Sequence, residues 1–302
     1  VSYHQPRVFR PNGSIGVFGT NTPEEVRTLQ NMMINAGYNH INGNHLHNSG
    51  RCDPETEAAI IWYQRLLNMS PSGVVHLQQI WFYSMFSKAI SPRWRPRDTG
   101  PLHVREGQIT FDAEGKDYLT AVEPFRQPKN TRLFSRILHW PEQASGVTLG
   151  RGYDMKARSS GEIMTHLRQA GIEEYKAVIC SKGAGLVGNE AHNFVRGYGP
   201  LVGEITHLQQ IRLFEISYQA KKDYARGFYQ RISKTIPNAP AWENIDLKIR
   251  DVVIDIFYQS VHNVHGLIEA AIKGKADLIN YITNDAQYMK YEKNRNRIGY
   301  LK

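Results

Sequence analysis

The sequence predicts an α+β protein that is mainly α. Three observations carry this. Capped apolar stripes at helical spacing fill the first ninety residues, a Gly-rich stretch of short alternating runs covers 102–158, and helical periodicity resumes from 159 onward. Of the 302 residues, 41% are hydrophobic and 22% charged, which excludes a disordered chain and leaves room for one large domain or two ordinary ones.

The first helix is expected over TPEEVRTLQNMMINAG, 22–37. Thr22 caps it with Glu25 three residues on, Pro23 suits the first turn, Val26, Leu29, Met33 and Ala36 form its stripe, and Gly37 stops it. A second helix follows Asp53 over 54–68, with Ala58, Ile61, Trp62 and Leu66 as its apolar face. A third covers about 76–90, after the turn SPSG. SPRWRPRDTGP, 91–101, has three prolines and no periodicity, so it reads as a linker between a domain at 1–90 and one at 102–302. In the second domain LHVREGQITF reads as a hairpin and SGVTLGRGYD, 145–154, as a strand ending in a turn. SSGEIMTHLRQAG has a cap and a Gly stop, and 203–233 forms a long helix. IDLKIRDVVIDIFYQSVH places Ile249, Val252, Val253, Ile256 and Phe257 on one face.

The net charge of +9 and pI of about 9.4 suit a polyanionic partner. The basic residues are dispersed, apart from RWRPR at 93–97 and the tail KYEKNRNR, which argues against nucleic acid. No run approaches the roughly eighteen apolar residues of a membrane span. The opening VSYHQPRVFRPNG has no signal pattern, so the expectation is a chain made in the cytoplasm. Cys52 and Cys180 read as free thiols, with a single bridge as the alternative.

The first module carries V-x-x-L-Q, then G-Y, then GRCDPETEAAI and Y-Q, then S-G and a helix with Trp81. These residues, among them Val26, Leu29, Gln30, Gly37, Tyr38, Gly50, Thr56, Ala59, Tyr63, Gln64 and Gly73, resemble the three-helix peptidoglycan-binding domain found beside many cell-wall hydrolases. The loop HINGNHLHNSGR is longer than usual there. It holds His40, His45 and His47 near Cys52, but the spacing matches no familiar zinc site, and solvated histidines are the expectation. No cofactor or metal is called for.

Glycosidic cleavage needs a carboxylic acid that keeps its proton and a second carboxylate that steadies charge or activates water. Glu114 follows ITFDA, where Ile109 and Phe111 can desolvate it and raise its pKa. Asp154 fits the second role, Thr148 can orient a water, and Gly150 and Gly152 permit close approach of a sugar. On one strand, 148, 150, 152 and 154 share a face. Tyr153, Arg136, His139 and Trp140 are candidate substrate contacts, Tyr258 is placed at a cleft floor, and Glu123 and Glu142 remain rivals for the acid. A calcium loop at Asp112, Glu114 and Asp117, a phosphate turn at GRGYD and a metal pair at His262 and His265 are the weaker alternatives.

Glu-Gly followed by SGVTLGRGYD resembles the phage-lysozyme type of muramidase, most of all its pesticin-like branch of bacterial toxins. The resemblance spans about 105–295, with 145–154 its specific motif. It implies a lysozyme-like domain with a small β region and a helical lobe, and Glu114, Thr148 and Asp154 as catalytic residues. It further implies peptidoglycan glycan strands as substrate, inversion at the cut bond, action on the cell wall, and an immunity protein in a producing cell. A wall-binding protein with a decayed lysozyme lobe is the alternative, as is a wall amidase or endopeptidase, although no HExxH occurs.

Overall fold

The computed structural model describes residues 8–40, 44–88, 102–115 and 134–302. The expected linker at 91–101, Asp117 and Glu123 lie outside them. The fold is mainly helical with two small two-stranded sheets, as the fold class requires. It divides into two compact units, one built from 8–88 and 134–213, the other from 102–115 and 214–302.

In the first unit, β1 (Ile15–Gly16) pairs antiparallel with β2 (Val74–Val75), beside α1 (Pro23–Asn35), α2 (Pro54–Leu66) and α3 (Ile80–Lys88). Val26, Leu29, Met33 and Ala36 are all buried, as their spacing predicts. The Thr22 cap is not formed. Its side chain makes no capping bond, and the Glu25 carboxylate accepts from the Asn12 amide at 2.6 Å rather than reaching back to Thr22. Asp53 does cap α2, accepting from the Thr56 amide at 2.9 Å and its hydroxyl at 2.7 Å. The buried face of α2 is rotated by one residue from the expected one. Leu66 is buried as predicted, but Ala59, Ile60 and Tyr63 are buried in place of Ala58, which is exposed, and of Ile61 and Trp62, which are half-buried. Five adjacent residues, AAIIW, leave the choice of face open to the partners. Trp62 stacks on Tyr198 of α7 (Gly188–Val202), centroids 5.1 Å apart. The third helix starts at Ile80, four residues late, since 76–79 form a turn closed by the Gln79 amide on His76 O at 3.0 Å and the His76 amide on Gln79 Oε1 at 2.9 Å.

Two buried glutamines tie this module together. Gln30 accepts from the Gly50 amide at 2.9 Å and donates to Arg51 O and Thr56 Oγ1. Gln64 accepts from the Gly73 amide at 2.9 Å and donates to Val74 O. Both glycines have positive φ, 75° and 77°. The remainder of the unit contains β3 (Thr148–Leu149), β4 (Tyr153–Asp154), α5 (Ser160–Gln169) and α6 (Glu174–Ser181). Ser159 caps α5 through the Glu162 amide.

The second unit opens on a turn and a short helix rather than on the expected strands. Residues 102–111 form no hairpin. Gly107 takes a left-handed φ of 77° and starts α4 (Gln108–Ala113), and Gln108 turns back to bond Val104 N and Leu102 O, both at 2.9 Å. A polar side chain that satisfies its own upstream backbone favours a helical turn over a ladder. Phe111 packs edge-on to Phe214. Most of α8 (His207–Ser233), with α9 (Leu247–Gln259), α10 (Val264–Lys273), α11 (Lys275–Thr283), α12 (Ala286–Arg295) and α13 (Arg297–Leu301), completes this unit. Ile249, Val252, Val253, Ile256 and Phe257 are buried as predicted.

Replacing Gln30 by Leu removes the side-chain partner of the Gly50 N–H and one of the donors to the Arg51 carbonyl. The expected loss is about 1–3 kcal/mol of stability, read as a lower urea midpoint. An unchanged midpoint would show that the clamp contributes nothing.

Candidate functional site

The motif SGVTLGRGYD is a hairpin, not a single strand. β3 and β4 pair antiparallel with Thr148 opposite Asp154 and Leu149 opposite Tyr153. Gly150 and Gly152 form the turn, with φ of 65° and 81°. Turn geometry is what requires glycine at these two positions. Thr148 and Asp154 share a face because directly opposed residues do so, not because they lie six apart along one strand.

The glycine that makes room at Asp154 is Gly146. A Cβ there would lie 2.4 Å from Asp154 Oδ1. Its amide donates to Asp154 Oδ2 at 3.2 Å, and the Lys156 amide donates to Oδ1 at 2.8 Å. The carboxylate is thus oriented by backbone donors while about a third of its side chain stays open, at 30% exposure. Thr148 is buried and its hydroxyl donates to Gly146 O at 3.1 Å.

The other candidate contacts are built into the fold. Tyr153 lies in the core, with its hydroxyl 2.9 Å from His166 Nδ1 and the Arg158 guanidinium over its ring. Arg136 is buried beside Glu204 and donates to Ile205 O at 3.2 Å. Trp140 donates to Ser145 O at 3.0 Å and meets His192 edge-on. His139 pairs through its backbone with Thr148, and burial pushes its imidazole pKa down, toward the neutral form. Tyr258 is buried against Phe214 and Tyr218. Glu142 is exposed.

Glu114 ends α4 in the second unit, and its side chain is 15% exposed. It pairs with Arg295, which also donates to Asp255 Oδ1 at 2.9 Å. Asp255 is fully buried. It accepts from Thr110 at 2.8 Å and from Arg297 Nε at 2.6 Å, and Arg297 reaches on to Gln259. Sequence reading missed this network. KNRNR looks like a solvated basic tail, and Asp255 hides in the apolar run VVIDIF; a lone acid there is itself a sign of a buried cation.

His45 and His47 are exposed, and Cys52 and Cys180 are both free. Burial raises the two thiols, to about 11 and about 12, so neither is an activated nucleophile. Among the described residues no three of His, Cys, Asp and Glu gather as a metal site. His262 instead pairs with Asp285 at 2.7 Å.

Burial pushes the Glu114 carboxyl above its ordinary range; the charge and hydrogen bond of Arg295 oppose this, and Asp255 adds to it. A carboxyl raised by the fold binds its proton more tightly there than in the unfolded chain. Its stabilising share is complete below the ordinary carboxylate range and is lost as pH rises through the folded value. Glu114→Gln lacks this titration. Its Tm relative to the parent should therefore climb from acid toward neutral pH, and a pH-independent difference would contradict the assignment.

The comparisons divide the chain in two. Residues 22–79 match the family described as "Putative peptidoglycan binding domain", so the first module associates the chain with peptidoglycan. No curated protein matches the chain. Among the described residues no helix is long and apolar enough to cross a membrane. Residues 107–292, more than half the sequence and including Glu114, Thr148 and Asp154, match a second family, and the chain belongs to it: the "Domain of unknown function (DUF8812)" family.

Proposed function

We propose that the chain is a peptidoglycan hydrolase of the muramidase type, cutting the β-1,4 bond between N-acetylmuramic acid and N-acetylglucosamine. The observation that carries this reading is Glu114 itself, a carboxyl that burial inclines to keep its proton, in a chain with a peptidoglycan-binding module. The resemblance of SGVTLGRGYD to the phage-lysozyme type supports the same reading.

In this proposal Glu114 gives its proton to the leaving glycosidic oxygen. Asp154, already oriented by the Gly146 and Lys156 amides, takes a proton from the attacking water, with Thr148 holding that water. The outcome is inversion. The first module raises the local concentration of glycan, and the net charge of +9 draws the chain toward an anionic wall. The setting proposed is an antibacterial effector or phage endolysin acting on the wall, with an immunity protein guarding any producer.

A second reading is favoured by the Arg295 pairing, which draws Glu114 toward its ionised form. Under it the chain binds wall without cutting it.

Reducing ends released from purified peptidoglycan separate the two readings. The parent should release them, and Glu114→Gln should lose the activity by about 10²-fold or more while still sedimenting with wall. Equal release by the variant would remove Glu114 from the role of acid, and none by the parent would leave the binding reading.

A further inference from the structure

The second unit holds a cavity of about 320 Å³ to which the proposed chemistry assigns nothing. One face of α9 lines it. Leu247, Arg250, Asp251 and Ile254 stand at i, i+3, i+4 and i+7, so their side chains share a stripe. The neighbouring stripe of the same helix is the core face that carries Asp255. The cavity stripe therefore differs in kind: an apolar residue, a cation, an acid, an apolar residue.

Both charged groups on it have capacity to spare. Asp251 Oδ2 accepts from the Tyr300 hydroxyl at 2.6 Å, and among the described residues its other oxygen has no hydrogen-bond partner. Arg250 Nε is buried, and no described residue bonds it. The walls are Leu247, Ile254, Trp242 and the Tyr218 ring, against which Gly107 is pressed so closely that a Cβ would lie 2.3 Å away. The rim carries the ion pair of Glu106 with Lys222, at 2.8 Å.

An open carboxylate oxygen on Asp251, the Arg250 guanidinium lining the same cavity and an apolar wall beside them describe the complement of an acetamido group. Its N–H suits Asp251, its carbonyl suits Arg250 and its methyl suits Leu247 and Ile254. The mixed charges at the rim suit ring hydroxyls, which both donate and accept. We infer that this cavity binds an N-acetylated amino sugar, as a glycan-holding site separate from Glu114, Thr148 and Asp154. The choice of sugar over other acetamides rests on the wall-glycan reading above.

The test uses the full chain with labelled Leu and Ile methyl groups. N-acetylglucosamine should shift the methyl signals of Leu247 and Ile254, and glucose, which lacks the amide, should not. Arg250→Ala should weaken the Ile254 response by about tenfold or more. Leu247→Trp, at a position 62% exposed and so tolerant of change, should abolish it by filling the cavity. The inference is overturned if N-acetylglucosamine leaves both methyls unmoved, if glucose moves them equally, or if both variants respond like the parent. It is also overturned if an N-acetylated dialanine binds more tightly, which would make the site one for peptide. None of these results bears on reducing-end release by Glu114 variants, so the two readings fail separately.

Discussion

Asp255 is the residue on which the second unit is organised. It is fully buried, on α9, and it gathers Thr110 of α4, Arg295 at the end of α12 and Arg297 at the start of α13. Two guanidiniums out of water are tolerable only while a carboxylate sits between them. The same constraint reaches the proposed acid. Arg295 divides its donors between Asp255 and Glu114, so the orientation of Glu114 is held by a cation that is itself held by the core. The protonation state of Glu114 is thereby set by opposition. Burial argues for the neutral acid and Arg295 for the anion, which is a balance suited to a group that must give up a proton and take it back.

The stripes at Val26, Leu29, Met33 and Ala36 and at Ile249, Val252, Val253 and Ile256 were legible because apolar residues there recur at one spacing with polar ones between. The face of α2 was not, because AAIIW offers two overlapping stripes and Tyr198, far along the chain, decides where Trp62 goes. The turn at 102–111 was misread for a related reason. Its short alternation mimics a strand, and the deciding influence is the Gln108 side chain bonding backward, which no periodicity records. Among the candidate residues the types were visible and the immediate surroundings of each were not. Thr148 and Asp154 meet across a ladder, Gly146 clears the space for the carboxylate, and Arg295 comes from more than 180 residues after Glu114. Long-range ion pairs leave no mark on local pattern.

In the proposed function the two halves of the chain bear on one polymer in different ways. The matched binding module offers affinity for peptidoglycan, and its recognisable residues, including Gln30, Tyr63 and Gln64, are buried. They define the scaffold rather than the contact surface. The second matched region contains both the proposed catalytic residues and the α9 cavity. A single helix thus carries two polar devices on adjacent stripes, with Asp255 closed off in the core and Asp251 still open to a ligand. The saturated one fixes structure, and the unsaturated one is where recognition is sought.

The glutamine clamps have a bearing on motion. Gly50 and Gly73 sit in turns, where amides usually trade their hydrogens with solvent within moments. Here each N–H points inward to a buried amide oxygen, so its release requires helix α1 or α2 to part from its loop. These two turn protons should therefore persist in deuterium oxide about as long as those at the centres of the helices that hold them, and loops that composition would call soft keep time with the core.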